Sequence, residues 1–324
     1  MAVYTHLGAE TLAELIAAYD VGELVSAKGI AEGISNSNWI VETQRRDGSA
    51  GRFILTLYER RIDIAELPFF LALLDHLAAR GCAVPATIHD REGGSLRQVE
   101  GKAAALIEFL PGVSPSAPTP AQARAVGAAL AQVHLAGRDF APTRPDRLDP
   151  PANRRILAQC GAALGQIDPA LPHAIGWADE VVARWPASLP RSIIHSDLFP
   201  DNVLMLGERV TGLIDFYFAC DGMMAYDLAV THAAWAFDKT GELFSPEIGE
   251  ALIHGYGSVR PLGSEERAAL PLLAQGACLR FTASRTEDWL ETASHGQVTR
   301  KDPMDFLRRW RFYRENAAAA FASA

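Results

Sequence analysis

Hydrophobic and polar positions change period along this chain, and the changes predict its elements. Thr11–Tyr19 carries Leu12, Leu15 and Ile16 at helical spacing and predicts a short amphipathic helix. Glu23–Ala27, Trp39–Thr43 and Phe53–Tyr58 read as strands. The last two are joined by Asp47-Gly48-Ser49-Ala50-Gly51, a hairpin turn. Helical period returns over Ile62–Arg80, where Leu67, Phe70, Leu71, Leu74 and Leu77 share a face and Gly81 supplies a stop. Short strands around Ala86–His89 and Leu96–Val99, with a turn at Asp90–Gly94, precede the mostly apolar strand Ala103–Phe109.

Pro111–Pro120, rich in Pro, Ser and Gly, is the best boundary in the chain. Beyond it the pattern is mainly helical. Thr119-Pro120 caps a helix to about Gly137, and Phe140–Pro151 reads as a Pro-rich loop. Helices follow at Asn153–Leu164, Ala174–Trp185, Asp227–Phe237, Pro246–Tyr256, Ser264–Trp289 and Pro303–Ala320. A hairpin interrupts them: Val203–Leu206, a turn at Gly207-Glu208, then Val210–Ile214. His134 shares its helix face with Val126, Leu130 and Val133, which favours a packed, hydrogen-bonded core histidine over a ligand. In the last helix Phe306, Trp310 and Tyr313 share a face, with Arg308, Arg309, Arg311 and Arg314 expected on a solvated flank.

Composition narrows the function classes. The 324 residues are 49% hydrophobic and 21% charged, ordinary for a globular chain of one large or two medium domains. A formal net charge of −9 argues against nucleic acid as an obligatory partner. Cys82, Cys160, Cys220 and Cys278 are scattered, as expected of reduced, mostly buried thiols in a cytoplasmic protein. The start Met1-Ala-Val-Tyr-Thr-His has no signal-peptide pattern, and no apolar run is long enough to span a membrane.

The chemistry concentrates in His195-Ser-Asp197-Leu-Phe-Pro-Asp-Asn202, followed by Ile214-Asp215-Phe216. An Asp and an Asn on one loop, with a second Asp at the end of the next hairpin, suit transfer of a phosphoryl group from ATP. Asp197 would take the acceptor hydroxyl's proton, and Asn202 and Asp215 would hold Mg2+, which prefers oxygen ligands. The alternative is a polar loop with an incidental His and Asp. Upstream, Lys28–Asn38 contains Gly29, Gly33, Ser35, Asn36, Ser37 and Asn38, whose backbone could approach an ATP phosphate closely; alone it could equally be a hairpin loop. Asp227 begins a helix, where a carboxylate is favourable, and reads with His195 as structural support for the loop rather than direct chemistry.

These segments resemble the homoserine kinase family of the aminoglycoside phosphotransferase and choline kinase-like superfamily. The resemblance runs nearly end to end: Gly33-Ile-Ser-Asn-Ser-Asn-Trp39, Phe53-Ile-Leu-Thr-Leu-Tyr-Glu59, Glu66-Leu-Pro-Phe-Phe-Leu, the His195–Asn202 loop, Ile214-Asp-Phe-Tyr-Phe218 and Arg280-Phe-Thr-Ala-Ser-Arg-Thr-Glu-Asp-Trp289. The loop is specific for the superfamily; the other segments carry the narrower match. The resemblance implies an α+β, two-lobed protein-kinase-like fold. Residues 1–110 would form a small antiparallel-sheet lobe and 111–324 a larger, mainly helical lobe. It implies O-phosphorylation of L-homoserine by Mg-ATP in threonine biosynthesis, with Glu108, Phe109 and Leu110 as the adenine hinge. One departure stands out: Thr56 occupies the strand position where kinase-like folds usually carry a Lys, leaving Glu66 without its obvious partner. Lys28, Arg60 or the loop N–H groups are candidates to grip the phosphates instead.

Homoserine carries a hydroxyl, an ammonium and a carboxylate. Asp221 is the candidate for the ammonium, and Arg280 or Arg285 for the carboxylate, each with a surface or packing ion pair as the alternative. Two rivals stay open. One is a kinase of the same superfamily for choline or an aminoglycoside; the other is a non-catalytic nucleotide-binding protein, favoured by the missing lysine. The oligomeric state is left open as well.

Overall fold

Residues 103–107 are apolar at every position because their strand is covered on both faces. The computed structural model describes residues 5, 7–30, 36–59, 63–291 and 300–322. The first part of the chain contains α1 (Ala9–Ala17), β1 (Glu23–Ile30), β2 (Asn36–Gln44), β3 (Ala50–Tyr58), α2 (Leu67–Ala79), β4 (Thr87–Ile88), β5 (Arg97–Val99) and β6 (Lys102–Glu108). The strands form an antiparallel sheet in the order β1-β2-β3-β6-β4, with β5 also paired to β6. Leu55, Leu57, Ala104 and Leu106 turn to one face and pack with Leu12, Leu15 and Ile16 of α1. Tyr58, Ala103, Ala105 and Ile107 turn to the other and pack with Leu67, Phe70 and Leu71 of α2. The β2–β3 turn has Gly48 at φ 83°, and the Asp47 carboxylate accepts the Ser49 N–H at 2.9 Å. Gly81, at φ 76°, ends α2.

The chain divides into two compact units. One comprises residues 1–112 with Thr211–Tyr217; the other comprises Val113–Val210 and Phe218–Ala324. This differs from a single crossing at 110/111. Thr211–Tyr217 belongs with the sheet unit because Leu213 N–H donates to the Ala83 carbonyl (2.7 Å) and the Tyr217 hydroxyl bonds that of Tyr58 (3.3 Å).

The second unit is mainly helical: α3 (Pro120–Ala136), α4 (Pro150–Cys160), α5 (Ala163–Ile167), α6 (His173–Arg184), then after short strands α7 (Met224–Trp235), α8 (Pro246–Val259), α9 (Ser264–Glu291) and α10 (Met304–Ala320). Those strands are β7 (Arg191–Ile194), β8 (Val203–Leu206) and β10 (Cys220–Met223); β9 (Arg209–Leu213) begins here and continues into the Thr211–Tyr217 segment of the first unit. β7 pairs with β10 and β8 with β9. Thr119 begins α3 with a capping box shared with Gln122. α4 starts earlier than its apolar period suggests: Asp149 accepts the Ala152 N–H at 2.8 Å, and Pro150 costs nothing at a first helical position. All of α7 is buried, so it shows no amphipathic face. α3 and α8 meet through glycines: a Cβ on Gly127 would lie 2.1 Å from the Leu252 carbonyl oxygen, and one on Gly255 1.9 Å from that of Arg124. In α10, Arg309 is not on a solvated flank. It is 4% exposed, lies 4.4 Å over the Phe306 ring and donates to the Asp238 carbonyl at 2.7 Å. Among the described residues no helix is long and apolar enough to cross a membrane. Cys82, Cys220 and Cys278 are buried thiols, and Cys160 is half-buried.

Candidate active site

In the second unit β7 delivers the chain into the His195–Asn202 loop, and a turn at Pro200–Asn202 leads out into β8. The loop is held from beneath by Asp227. This carboxylate is fully buried: one oxygen accepts the Ser196 N–H at 2.7 Å, and the other accepts the His195 N–H at 2.7 Å and His134 Nε2 at 2.9 Å. Burial pushes the Asp227 carboxyl up, but the His134 hydrogen bond, the nearby histidines and the backbone donors outweigh it and hold it below the usual carboxylate range. Placing Asp227 in the first turn of α7 aims it at these N–H groups.

The network continues inward. His134 Nδ1 lies 2.8 Å from the Tyr256 hydroxyl, Arg260 donates to that hydroxyl at 3.2 Å, and Arg260 also donates to Glu266 at 2.7 Å. The Asp227 carboxylate can only accept, so His134 Nε2 donates to it; Nδ1 of the neutral ring is then an acceptor, and the Tyr256 hydroxyl, which accepts from Arg260, donates to it. The tautomer that satisfies every contact therefore carries its proton on Nε2, facing Asp227. The close α3–α8 crossing at Gly127 and Gly255 brings His134 and Tyr256 within reach.

From above, Trp235 Nε1 donates to the Leu198 carbonyl at 3.0 Å, and the Phe199 ring packs 4.9 Å from Phe281. Asn202 Nδ2 donates to the Asp197 carbonyl at 2.8 Å and to its carboxylate at 3.3 Å. The amide nitrogen is thus committed to Asp197, and the amide oxygen faces away from it. That oxygen is the end of Asn202 able to meet a cation.

The first unit carries the other predicted residues. Asp215 follows β9 in a left-handed conformation, φ 67°, which is uncommon for a residue with a Cβ. Thr56 lies directly opposite Asn38 in the β2–β3 ladder and donates its hydroxyl to the Asn38 Oδ1 at 2.8 Å. Asn36, Ser37 and Asn38 belong to β2 rather than to a loop, paired with Tyr58, Leu57 and Thr56. Ser37 donates to the Glu59 carboxylate at 2.6 Å, and Lys102 also bonds Glu59. Glu108 ends β6. Its N–H donates to the Ala86 carbonyl (2.9 Å), but the Ala86 N–H turns to the Glu108 side chain (3.2 Å), so the Glu108 carbonyl loses that ladder partner. Phe109, under the Arg52 guanidinium at 5.2 Å, and Leu110 continue from it. Gly33, Ser35 and Arg60 lie outside the described residues.

The expected substrate ligands sit differently from one another. Asp221, on β10, forms a half-exposed ion pair with Arg191 of β7 at 3.0 Å. Arg280 is 2% exposed and bonds both oxygens of Ser196, so it is committed to the loop rather than presented to a ligand. Arg285 is held by Asp305 (2.8 Å) and the Asp302 carbonyl (3.1 Å); burial lowers its pKa, and Asp197 is among the charges that act on it. The long-range partners Tyr256, Arg260, Glu266 and Trp235 have no sequence signal of their own. Tyr256, Glu266 and Trp235 are ordinary helix residues and Arg260 directly follows α8, until the fold brings them to the loop.

A model of the phosphotransferase enzyme family matches residues 26–270. The homoserine kinase of Acidiphilium cryptum is 46% identical over 321 residues, covering 99% of both chains. That of Nitrobacter winogradskyi is 47% identical over 313 residues, covering 96% of this chain and 94% of the relative. Among solved structures, the spectinomycin phosphotransferase APH(9)-Ia, in complex with ADP and spectinomycin, aligns over 98% of this chain and 99% of its own with a TM-score of 0.68 at 16% identity. That likeness extends the fold match over nearly the whole chain, and the closer relatives narrow it: the chain belongs to the phosphotransferase enzyme family and, within it, to the homoserine kinases.

Proposed function

We propose that this protein transfers the γ-phosphoryl group of ATP to the hydroxyl of L-homoserine, giving O-phospho-L-homoserine and ADP. The observation that carries the reading is identity of 45–47% to homoserine kinases over nearly the full chain. The His195–Asn202 loop supplies the chemistry to go with it. Asp197 accepts the hydroxyl proton as the oxygen attacks phosphorus. Asn202, through its amide oxygen, and Asp215 hold Mg2+; when bound, the ion offsets negative charge on the phosphate oxygens. The commitment of Asn202 Nδ2 to Asp197 supports this choice, since it orients the oxygen for a hard cation.

The Glu108 carbonyl and the Leu110 backbone receive adenine. Asn36, Asn38 and Thr56, on one face of the β2–β3 ladder, take the phosphate side together with Gly33 and Ser35, the Thr56–Asn38 bond standing where kinase-like folds usually carry a lysine; Ser37 turns to the other face, buried and bonded to Glu59. Arg285, which lies beside Asp305 rather than on Ser196, takes the homoserine carboxylate.

The test is ADP release by purified protein with Mg-ATP over homoserine, choline, ethanolamine, methylthioribose and an aminoglycoside. Turnover with homoserine well above the others is expected. Robust turnover of a cationic substrate alone would overturn the assignment, and nucleotide binding without transfer to any acceptor would favour a non-catalytic role.

A further inference from the structure

Ser196 precedes the proposed base, Asp197. It is 2% exposed and adopts φ 67°, a left-handed conformation that a side chain with a Cβ resists. Such a conformation persists only where the surroundings enforce it. Asp227 secures the N–H side at 2.7 Å. On the carbonyl side the enforcing group is Arg280 of α9, whose Nη1 bonds both the Ser196 carbonyl and its hydroxyl. The guanidinium is itself fixed, 5.1 Å from the Phe218 ring centre and 4.9 Å from that of Phe281. Phe281 in turn packs against Phe199, on the far side of Asp197 in the same loop.

We propose that Arg280 is a positioning residue: by gripping both oxygens of Ser196 it holds the left-handed turn that aims the Asp197 carboxylate. This rests on the reading of Asp197 as the base. It assigns Arg280 a role distinct from binding the homoserine carboxylate. A planar guanidinium reaches two oxygens of one residue, which a lysine ammonium does less well.

The test is a kinetic cycle with Arg280→Met, Ser196→Gly and the double variant, each checked by thermal unfolding and by binding of a fluorescent ATP analogue. If Arg280 positions the loop, Arg280→Met lowers kcat by about 100-fold while KM for homoserine stays within about threefold. Glycine adopts positive φ at little cost, so in the Ser196→Gly background the same change at Arg280 lowers kcat by less than about tenfold. A rise in homoserine KM with kcat kept, or equal kcat losses in the two backgrounds, overturns the proposal. Should Arg280→Met fail to fold, Arg280→Lys carries the same comparison. Asp197→Asn, run in parallel, separates the two failures: if it retains kcat, the base assignment is wrong; if it is inactive while the Arg280 cycle is additive, only the positioning role is wrong.

Discussion

Asp227→Asn probes the support of the catalytic loop directly. The wild-type carboxylate accepts three hydrogen bonds in a site closed to water: from Ser196 N and His195 N, each at 2.7 Å, and from His134 Nε2 at 2.9 Å. An asparagine keeps one acceptor oxygen and replaces the other with an NH2 donor. In its better orientation the oxygen serves His195 and His134, now without charge, and the NH2 meets the Ser196 N–H, donor against donor. A bond to a charged group contributes about 1.5–3 kcal/mol and an unsatisfied buried donor costs about 1–3 kcal/mol. One lost bond and two weakened ones therefore predict a loss of about 3–5 kcal/mol. Urea unfolding followed by tryptophan fluorescence measures it. The pH dependence gives a second handle. Because the folded Asp227 carboxyl lies below its unfolded value, its contribution is present above about pH 4 and is lost as pH falls further. The Asn side chain does not titrate, so the stability gap between the two proteins stays constant from pH 7 to about 5 and narrows below about 4. A variant within about 0.5 kcal/mol of wild type at pH 7, or a gap that widens in acid, refutes the reasoning.

Three further outcomes follow from the packing. Thr56→Val keeps the shape but removes the hydroxyl given to Asn38, and is expected to cost about 1–2 kcal/mol in thermal unfolding. Burial lowers the pKa of His232 to about 3. The folded protein therefore binds fewer protons than the unfolded chain below about pH 6.5, and stability falls toward acid by up to about 1.4 kcal/mol per pH unit from this group. His232→Asn, which can still meet the Tyr313 hydroxyl, should show a flatter urea-midpoint profile between pH 6.5 and 5, although it starts lower at pH 8. Gly255→Ala sets a methyl 1.9 Å from the Arg124 carbonyl oxygen, so α3 and α8 must separate; denaturation should show a loss of about 2–3 kcal/mol, with reduced kcat as His134 and Tyr256 part.

Much of the fold was legible because local chemistry and global packing agree. Asp47-Gly48 made its hairpin, Gly81 ended α2, and Thr119-Pro120 opened α3, each through a backbone requirement visible in single residues. β7 and β10 were not anticipated, because four residues each carry too little period to read. By sequence Asp149-Pro150 reads as loop because its prolines hide a helix start. Asn36–Asn38 looked like loop by polarity, yet extends β2: Ser37 bonds Glu59 and Asn38 bonds Thr56, so polar side chains are satisfied inside the sheet. At the site, the Asp197–Asn202 spacing was readable because both lie on one loop. The residues that hold the loop were not. Arg280 looked like a ligand because sequence shows charge but not direction, and only the fold turns it toward Ser196. The ion pair of Asp221 with Arg191 was hidden for the same reason: Arg191 sits diagonally across the β7–β10 pairing, which the sequence did not reveal.

The most direct test of the account is to identify the product. Purified protein is incubated with Mg-ATP and L-homoserine, and the phosphorylated compound is followed by phosphorus NMR and mass spectrometry, with Asp197→Asn alongside. A phosphomonoester on the homoserine hydroxyl, formed one for one with ADP, is expected, and its loss in Asp197→Asn although that variant still folds and binds ATP. A wild-type protein that forms no phosphohomoserine, or an Asp197→Asn protein that forms it at the wild-type rate, would contradict it.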